Sequence, residues 1–134
     1  MSSISKKLVA IVDDDFDITQ LFYDALIPIT GIIVFKFTDP VLALEHITLN
    51  RDSYILIISD SKMPGLNGID LIKRVKSLDP RIRTLLMTAF EMTDSLFSHY
   101  IKQELINGFL QKPIMIKDLI EEVRKQIHYH ETKK

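Results

Sequence analysis

The sequence contains no cysteine, so the chain has neither a disulfide framework nor thiol chemistry. It also lacks internal repeats, low-complexity segments and a linker of biased composition. Its 134 residues, of which 46% are hydrophobic and 26% charged, have the size and composition of one globular domain. These absences fit a single domain in a reducing compartment.

Long apolar segments are missing as well. No stretch approaches the roughly 20 residues of a membrane span, because the longest apolar run, 25–37, is interrupted by Pro28 and Lys36. The start of the chain has no apolar core of signal-peptide length. We therefore expect a soluble, cytoplasmic protein without membrane insertion.

An excess of charge of either sign is also missing, since the formal net charge is −1. Nonspecific affinity for nucleic acid comes mainly from an excess of lysine and arginine over acidic residues. We therefore expect no direct contact with nucleic acid.

What the sequence does contain is an alternation of short apolar runs, rich in isoleucine and valine, with segments of helical period. This pattern is typical of repeated βα units around a parallel sheet, the α/β class. The runs are too uniformly apolar for one face to lie in water, so helices should cover both faces. The predicted strands lie near 7–12, 32–37, 54–59, 83–88 and 108–111.

Five amphipathic segments provide the helices. In the first, the apolar spacing predicts that Leu21 faces the core and Tyr23 faces outward. Asp39 and Pro40 are a typical start for the second, since a carboxylate caps the helix and proline suits its first position. We predict one domain over 6–129, with short solvated tails at 1–5 and 130–134.

Polar side chains follow four of the apolar runs. Ligands of open parallel α/β sheets bind outside the carboxyl ends of the strands, so these side chains should gather at one edge. They are Asp13 and Asp14 after the first run, Asp60 after the third, Thr88 after the fourth and Lys112 after the fifth.

Three carboxylates at one edge repel one another unless a cation is supplied. Lys112 provides one positive charge, and an all-oxygen site of this kind favours Mg²⁺ or Mn²⁺. Asp60 can then attack phosphorus and form an aspartyl phosphate, while Thr88 donates its hydroxyl to a phosphoryl oxygen. The Lys112-Pro113 bond is a candidate cis peptide, because only bonds to proline adopt this form at low cost.

Taken together, these motifs resemble the receiver domain of two-component response regulators over residues 6 to 129. The resemblance implies a (βα)₅ flavodoxin-like, doubly wound parallel sheet with strand order 2-1-3-4-5. It also implies a histidine kinase or a histidine phosphotransfer protein as the phosphate donor. The motifs are Val-Asp-Asp-Asp at 12–15, Asp60-Ser61-Lys62-Met63-Pro64-Gly65, Asn67-Gly68, Thr88-Ala89 and Lys112-Pro113.

The resemblance assigns a role to each matching position. Asp60 becomes the phosphoacceptor and, with Asp14 and the backbone carbonyl of Lys62, a ligand of Mg²⁺ or Mn²⁺. Asp13 would hold the metal through water. The positions that contact the phosphoryl group or respond to it are Thr88, Ala89, Lys112 and the switch aromatic Phe109.

The segment between Thr88 and Lys112 departs from the family pattern. It is a residue or two longer than usual, and 104–107 replaces a common Ala-Gly-Ala pattern. Because the fourth and fifth helices form the family's output surface, we expect a downstream protein or a second copy to bind there, giving a homodimer in the latter case. The apolar residues behind this hypothesis are Leu96, Phe97, Tyr100, Ile101 and Leu105.

Two positions bear on how long the phosphoryl group survives. Lys62 lies two residues after Asp60, and Phe90 lies two residues after Thr88. In the family, these positions frame the path of the hydrolytic water. A long cation and a bulky ring should obstruct that water, so we predict slow hydrolysis.

Other interpretations of the acidic cluster were weighed. Asp13 to Asp17 could simply cap the first helix, but their coincidence with Asp60, Thr88 and Lys112 argues for a site. A calcium loop is excluded because Ile18 stands where the turn glycine is required.

Two further functional classes remain as alternatives. A small aspartyl-phosphate phosphatase is disfavoured because the chain has no room for a cap domain and no second acidic pair after Lys112. A receiver with vestigial phosphorylation that acts as a binding scaffold is disfavoured by the intact acidic set. Without an output module the chain would signal through protein contacts, unless it is a fragment of a longer protein.

Overall fold

The computed structural model describes residues 6–89 and 95–132, with the exception of the side chains of Leu96 and Phe97. Five strands alternate with five helices along the chain. The strands are β1 (Leu8–Val12), β2 (Ile33–Phe37), β3 (Tyr54–Asp60), β4 (Arg83–Thr88) and β5 (Gly108–Gln111). The helices are α1 (Phe16–Leu26), α2 (Pro40–Leu49), α3 (Gly68–Leu78), α4 (Ser95–Lys102) and α5 (Ile116–Thr132).

The strands form one parallel sheet in the order β2-β1-β3-β4-β5. The predicted doubly wound (βα)₅ fold and its strand order are therefore confirmed. The strand order reverses between β1 and β3, which brings the ends of these two central strands side by side. Ligands of doubly wound sheets bind at this kind of reversal.

Helices cover both faces of the sheet, as the uniformly apolar strands require. Every residue of β1 and β3 is buried, and alternate residues of β1 point to opposite faces. One face packs against α1 and α5, with a core that includes Val9, Ile11, Phe22, Leu119 and Val123. The other face packs mainly against α2 and α3, with a core that includes Leu8, Ala10, Val12, Ala43, Ile47, Leu71 and Val75.

Side-chain caps begin the first three helices. The Asp15 carboxylate accepts hydrogen bonds from the backbone N–H groups of the first turn of α1, and Asp39 caps α2 with Pro40 at its first position. The Asn67 side chain caps α3 in the same way. The predicted start of α2 is confirmed, and each cap satisfies backbone donors that a helix leaves unpaired.

Two local predictions are wrong. Leu21 is 50% exposed, whereas Tyr23 packs against the core of the α1 and α5 face. Lys36 Nζ, on β2, lies 5.4 Å from the centre of the Tyr23 ring. At the other end, α5 continues to Thr132, so 130–132 are helical rather than part of a tail. A salt bridge of 3.3 Å from Lys7 Nζ to Glu131 Oε2 joins this last turn to the start of β1.

Among the helices in the described ranges, we find none that is long and apolar enough to cross a membrane.

Candidate functional site

The end of β1 supplies two of the three carboxylates. Asp13 follows Val12 directly and is buried, whereas Asp14 is exposed. Asp13 Oδ1 accepts a hydrogen bond of 2.9 Å from the backbone N–H of Asp15. That bond joins the strand end to the cap of α1 and fixes the direction of the Asp13 carboxylate.

The end of β3 supplies the third carboxylate. Asp60 is the last residue of that strand and is buried, and its Oδ1 accepts a hydrogen bond of 3.0 Å from the backbone N–H of Ser61. One carboxylate oxygen from each of Asp13, Asp14 and Asp60 lies within 4.8 Å of the others, close enough to share a metal ion.

Lys112 approaches this cluster from the end of β5. Its Nζ lies 2.8 Å from Asp60 Oδ1 and 3.7 Å from Asp13 Oδ2. The Lys112 backbone N–H donates to the Thr88 carbonyl at 2.7 Å, which ties this residue to the end of β4. The Lys112–Pro113 peptide is cis.

The cluster holds more negative charge than Lys112 offsets. The pKa of Asp13 is raised to about 6, chiefly by burial and also by the charges of Asp60 and Asp14, while the hydrogen bond from Asp15 and the charge of Lys112 act in the opposite direction. Burial alone would lower the pKa of Lys112, but its hydrogen bond to Asp60 and the nearby carboxylates more than compensate and raise it. The site therefore favours a cation in addition to Lys112.

The donor set fits a hard divalent ion. Asp13 Oδ2 is buried and accepts no hydrogen bond from the residues that the structure describes, although it lies 3.7 Å from the ammonium of Lys112. Buried carboxylate oxygens are normally satisfied, so an atom of this kind is suited to a metal-bound water or to a metal. Oxygen ligands without sulfur or imidazole match the preference of Mg²⁺ and Mn²⁺.

Thr88 and Ala89 lie beside Asp60 at the same edge of the sheet. Thr88 ends β4 and is fully buried, and Ala89, next along the chain, is exposed. Asp60 is in register with Met87 on that strand, one residue before Thr88. The edge therefore brings together the predicted carboxylates, hydroxyl and ammonium.

Phe109 lies on β5, in register with Leu86 of β4. It is half-buried and packs against a small core cluster formed by Ile72, Leu86 and Ile106. The ring is thus on the sheet face shared with α3 and α4. Tyr100 of α4 packs against the same cluster.

Gly68, the first residue of α3, lies against the backbone of Asp60, a contact that the sequence motif did not predict. A Cβ atom at this position would lie 2.0 Å from the Asp60 carbonyl oxygen, and the Gly68 N–H donates to the Ser61 carbonyl at 3.0 Å. Only glycine allows α3 to start this close to the end of β3. Its occurrence after a helix-capping Asn67 was the available signal.

Of the two residues predicted to shield the site, the structure describes one. Lys62 is exposed in the loop after β3. Phe90 lies outside the residues that the structure describes. The shielding hypothesis thus stays a prediction.

The apolar output patch predicted on α4 divides into parts. Tyr100 and Leu105 pack against the core cluster around Ile72, whereas Ile101 is 48% exposed. The side chains of the other two members, Leu96 and Phe97, lie outside the description. Within the described part, Ile101 is the apolar member of this patch that faces solvent.

Comparison with known proteins gives a consistent result. A family model for the response regulator receiver domain matches residues 9–124. Sporulation initiation phosphotransferase F of Bacillus subtilis is 32% identical over 88 residues, which cover 66% of this chain and 68% of that protein. The DNA-binding transcriptional regulator NtrC of Escherichia coli is 30% identical over 129 residues, which cover 96% of this chain.

Solved structures agree with the sequence relatives. The chemotaxis response regulator of Vibrio cholerae superposes with a TM-score of 0.76 at 26% identity, covering 90% of this chain and 98% of that one. The chain spans only 26% of the length of the Escherichia coli regulator.

Proposed function

Because the chain belongs to the response regulator receiver domain family of two-component systems, we propose that it is a phosphorylation switch whose phosphoacceptor is Asp60. The observation that carries this proposal is the 2.8 Å contact between Lys112 Nζ and Asp60 Oδ1 inside a cluster of three carboxylates. A buried carboxylate at a strand end, with a cation bound to it, is placed to attack a phosphoryl group.

The proposed donor is a phosphohistidine of a histidine kinase or of a histidine phosphotransfer protein. A carboxylate oxygen of Asp60 forms the new bond to phosphorus while the bond from phosphorus to the histidine nitrogen breaks. The electron pair of that bond stays with the imidazole, which takes up a proton from solvent. Phosphoryl transfer of this kind depends mainly on positioning and on neutralisation of charge.

Mg²⁺ or Mn²⁺ fits the acidic cluster, as the donor set above indicates. The residues that would hold it are Asp14, Asp60 and the Lys62 backbone carbonyl, with Asp13 contributing through water. When bound, the ion would neutralise charge on the phosphoryl oxygens. Lys112 holds a further phosphoryl oxygen by moving from the Asp60 carboxylate to the transferred group.

The response to phosphorylation is proposed to run through β4 and β5. Thr88 donates its hydroxyl to a phosphoryl oxygen, and Ala89 moves with it toward the site. Phe109 then repacks against α4, because its ring shares the core cluster with Tyr100. Since phenylalanine has no hydroxyl, this change rests on packing alone.

A downstream protein, or a second copy of the chain, is proposed to bind the surface formed by α4 and α5. The exposed Ile101 supports this placement. One relative is named a phosphotransferase and another a DNA-binding transcriptional regulator. Both names agree with a phosphate-accepting module that acts on other proteins or on other domains.

The first test is the intact mass of the protein after incubation with acetyl phosphate and Mg²⁺. We expect a gain of one phosphoryl group that requires Mg²⁺ and is lost in Asp60→Asn. An equal gain in Asp60→Asn would exclude Asp60 as the acceptor. A folded protein without any gain would instead favour the scaffold interpretation.

The phosphoryl group is proposed to hydrolyse slowly, with Lys62 covering one side of the path of water. Lys62→Asn, alone and together with Phe90→Glu, should then shorten the decay time of the phosphorylated protein. Lys117→Asn, which changes an exposed lysine on α5, serves as the matched control. Equal decay in all four proteins would contradict the shielding proposal.

A further inference from the structure

A second concave site lies at the amino ends of the strands, opposite the acidic cluster. It is a cavity of about 710 Å³, which is within the range of about 300–1,000 Å³ that is usual for small-molecule sites. Its walls come from the residues before β1, β3 and β5, the start of β4, and the last turns of α3 and α5.

Arg83, the first residue of β4, lies in this cavity with its guanidinium held in place. Its Nε donates a hydrogen bond of 2.8 Å to Gln126 Oε1, and Gln126 is itself buried and bonded to Glu122 at 2.8 Å. The guanidinium carbon lies 5.2 Å from the centre of the Tyr129 ring. A fixed, stacked guanidinium loses little further freedom when it binds an anion.

The two terminal amino groups of Arg83 donate no hydrogen bond to any residue in the described part of the chain. The side chain is half-buried, and burial lowers its pKa. A partly desolvated guanidinium with two open donors in one plane matches the geometry of a carboxylate or of a phosphate.

The charge of the cavity selects between these anions. Two carboxylates of the wall, Asp52 and Glu104, would repel a doubly charged group. The third carboxylate of the wall, Asp79, already accepts hydrogen bonds from the Arg81 guanidinium at 2.9 and 3.0 Å. The basic side chains of the wall are Lys6, Lys7, Lys76, Arg81 and Arg83. A small positive excess of this kind suits a single negative charge.

Apolar surface lies next to this charge. Ile101 and Tyr129 are 48% and 38% exposed and line the cavity, whereas the wall residues Tyr54 and Ile106 are almost fully buried and offer little surface. A ligand that offered only charge would leave this surface in water. An apolar body attached to the anion would cover it.

We propose that this cavity binds a small organic monocarboxylate, with its carboxylate on the terminal amino groups of Arg83 and its apolar body against Tyr129 and Ile101. The site uses none of the residues of the acidic cluster, and it lies at the other ends of the same strands. Binding there leaves Asp60 accessible to a phosphate donor.

The test is a titration of the ¹⁵N-labelled chain with 2-naphthoate, in EDTA so that no divalent ion bridges the carboxylate to the acidic cluster. We expect saturable shifts of the amides of Arg83, Asn107 and Tyr129. The neutral 2-naphthamide should bind at least about tenfold more weakly, since a hydrogen bond between charged groups is about twice as strong as a neutral one. Inorganic phosphate should also bind at least about tenfold more weakly, because it has no apolar body to cover Tyr129 and Ile101. Equal binding of the amide or of phosphate would overturn the proposal.

Variants separate a local role of Arg83 from damage to the fold. Arg83→Gln and Arg83→Lys should both weaken naphthoate binding, because glutamine lacks the positive charge and lysine lacks the planar pair of donor nitrogens. Arg124→Gln, which changes an exposed arginine on α5 outside the cavity, should bind like the parent chain. Tyr129→Leu changes a side chain that is 38% exposed, so it should fold and still bind more weakly. Naphthoate binding that is unchanged in Arg83→Gln and Tyr129→Leu would refute the site.

Discussion

The two ends of the parallel sheet handle charge in opposite ways. At the carboxyl end, Asp13, Asp14 and Asp60 share the ammonium of Lys112, so negative charge is left over. At the amino end, the carboxylate of Asp79 is paired with a neighbouring arginine, and the cavity wall has a small excess of positive charge.

This difference predicts how ligand binding at each end changes the stability of the folded chain. Repulsion among buried carboxylates destabilises the folded chain, and it is relieved when a cation binds. Charges that are already paired stabilise the fold modestly and change little when a ligand arrives. We therefore expect substitutions at the carboxyl end to change the free energy of unfolding more, by an amount that depends on Mg²⁺. The effects of substitutions at the amino end should not depend on Mg²⁺.

The largest effect on stability is expected for Gly68→Ala, which disrupts the close packing of α3 against the end of β3. The new Cβ would lie 2.0 Å from the Asp60 carbonyl oxygen, and a backbone atom cannot easily move away. Overpacking of this kind costs about 1–3 kcal/mol or more. Urea denaturation should show this loss, and acetyl phosphate should label the variant less.

Gly31→Ala provides the control for that substitution. Gly31 has a φ of +92°, and no atom lies within 4 Å of a Cβ built there. It should lose about 1 kcal/mol through backbone strain alone, while phosphorylation of Asp60 is retained. Equal loss of labelling in both variants would contradict a specific role for Gly68.

The next largest effect is expected for Lys112→Met. Without the ammonium, the Asp60 and Asp13 carboxylates repel each other with less compensation, and the free energy of unfolding should fall by about 2 kcal/mol. Mg²⁺ should then stabilise the variant more than it stabilises the parent chain. Denaturation with and without Mg²⁺ measures this, with Lys117→Met as the control. An equal response of the two chains to Mg²⁺ would refute the argument.

A smaller effect of opposite sign is expected for Asp13→Asn. Removing one buried negative charge should raise the free energy of unfolding at neutral pH, without Mg²⁺, by at least about 1 kcal/mol, since one unit of pKa corresponds to about 1.4 kcal/mol and the pKa is raised by more than one unit. The exposed Asp14→Asn should change it less. A loss of stability in Asp13→Asn would show that its hydrogen bond to Asp15 outweighs the repulsion.

The pH dependence of the parent chain follows from the same group. The pKa of Asp13 rises from 3.8 to about 6 on folding, so the folded state holds its proton over a range in which the unfolded chain has lost it. Stability should therefore fall as the pH rises through this range, in the absence of Mg²⁺. Asp13→Asn should lack this part of the pH dependence.

The residues at the carboxyl end could be predicted from the sequence because each of them either ends a strand or directly follows one. A buried parallel strand is a continuous apolar run, so a polar residue at its end stands out. Asp13, Asp60, Thr88 and Lys112 could therefore be assigned to one edge before the strand order was known. The positions of the strands followed from the same runs.

The amino end could not be predicted in this way. Its cavity collects short groups of residues from widely separated parts of the chain. Lys7 and Glu131, which join the first and last elements, are 124 residues apart. The exchange of Leu21 and Tyr23 on α1 also involves a distant contact, since Lys36 of β2 lies over the Tyr23 ring. Packing between distant segments leaves no local pattern.

The smallest effect is expected for Asp79→Asn at the amino end, and its dependence on pH should have the opposite sign to that of Asp13. Hydrogen bonds from Arg81 lower the pKa of Asp79. The pair therefore stabilises the folded chain above the ordinary pKa of an aspartate, and this stabilisation is lost as the pH falls through the lowered value. Asp79→Asn should be slightly less stable than the parent at neutral pH, with a difference that shrinks in acid and does not respond to Mg²⁺. Urea denaturation at several pH values measures it, and a difference that grew in acid would show that the two ends do not differ in the way their charges indicate.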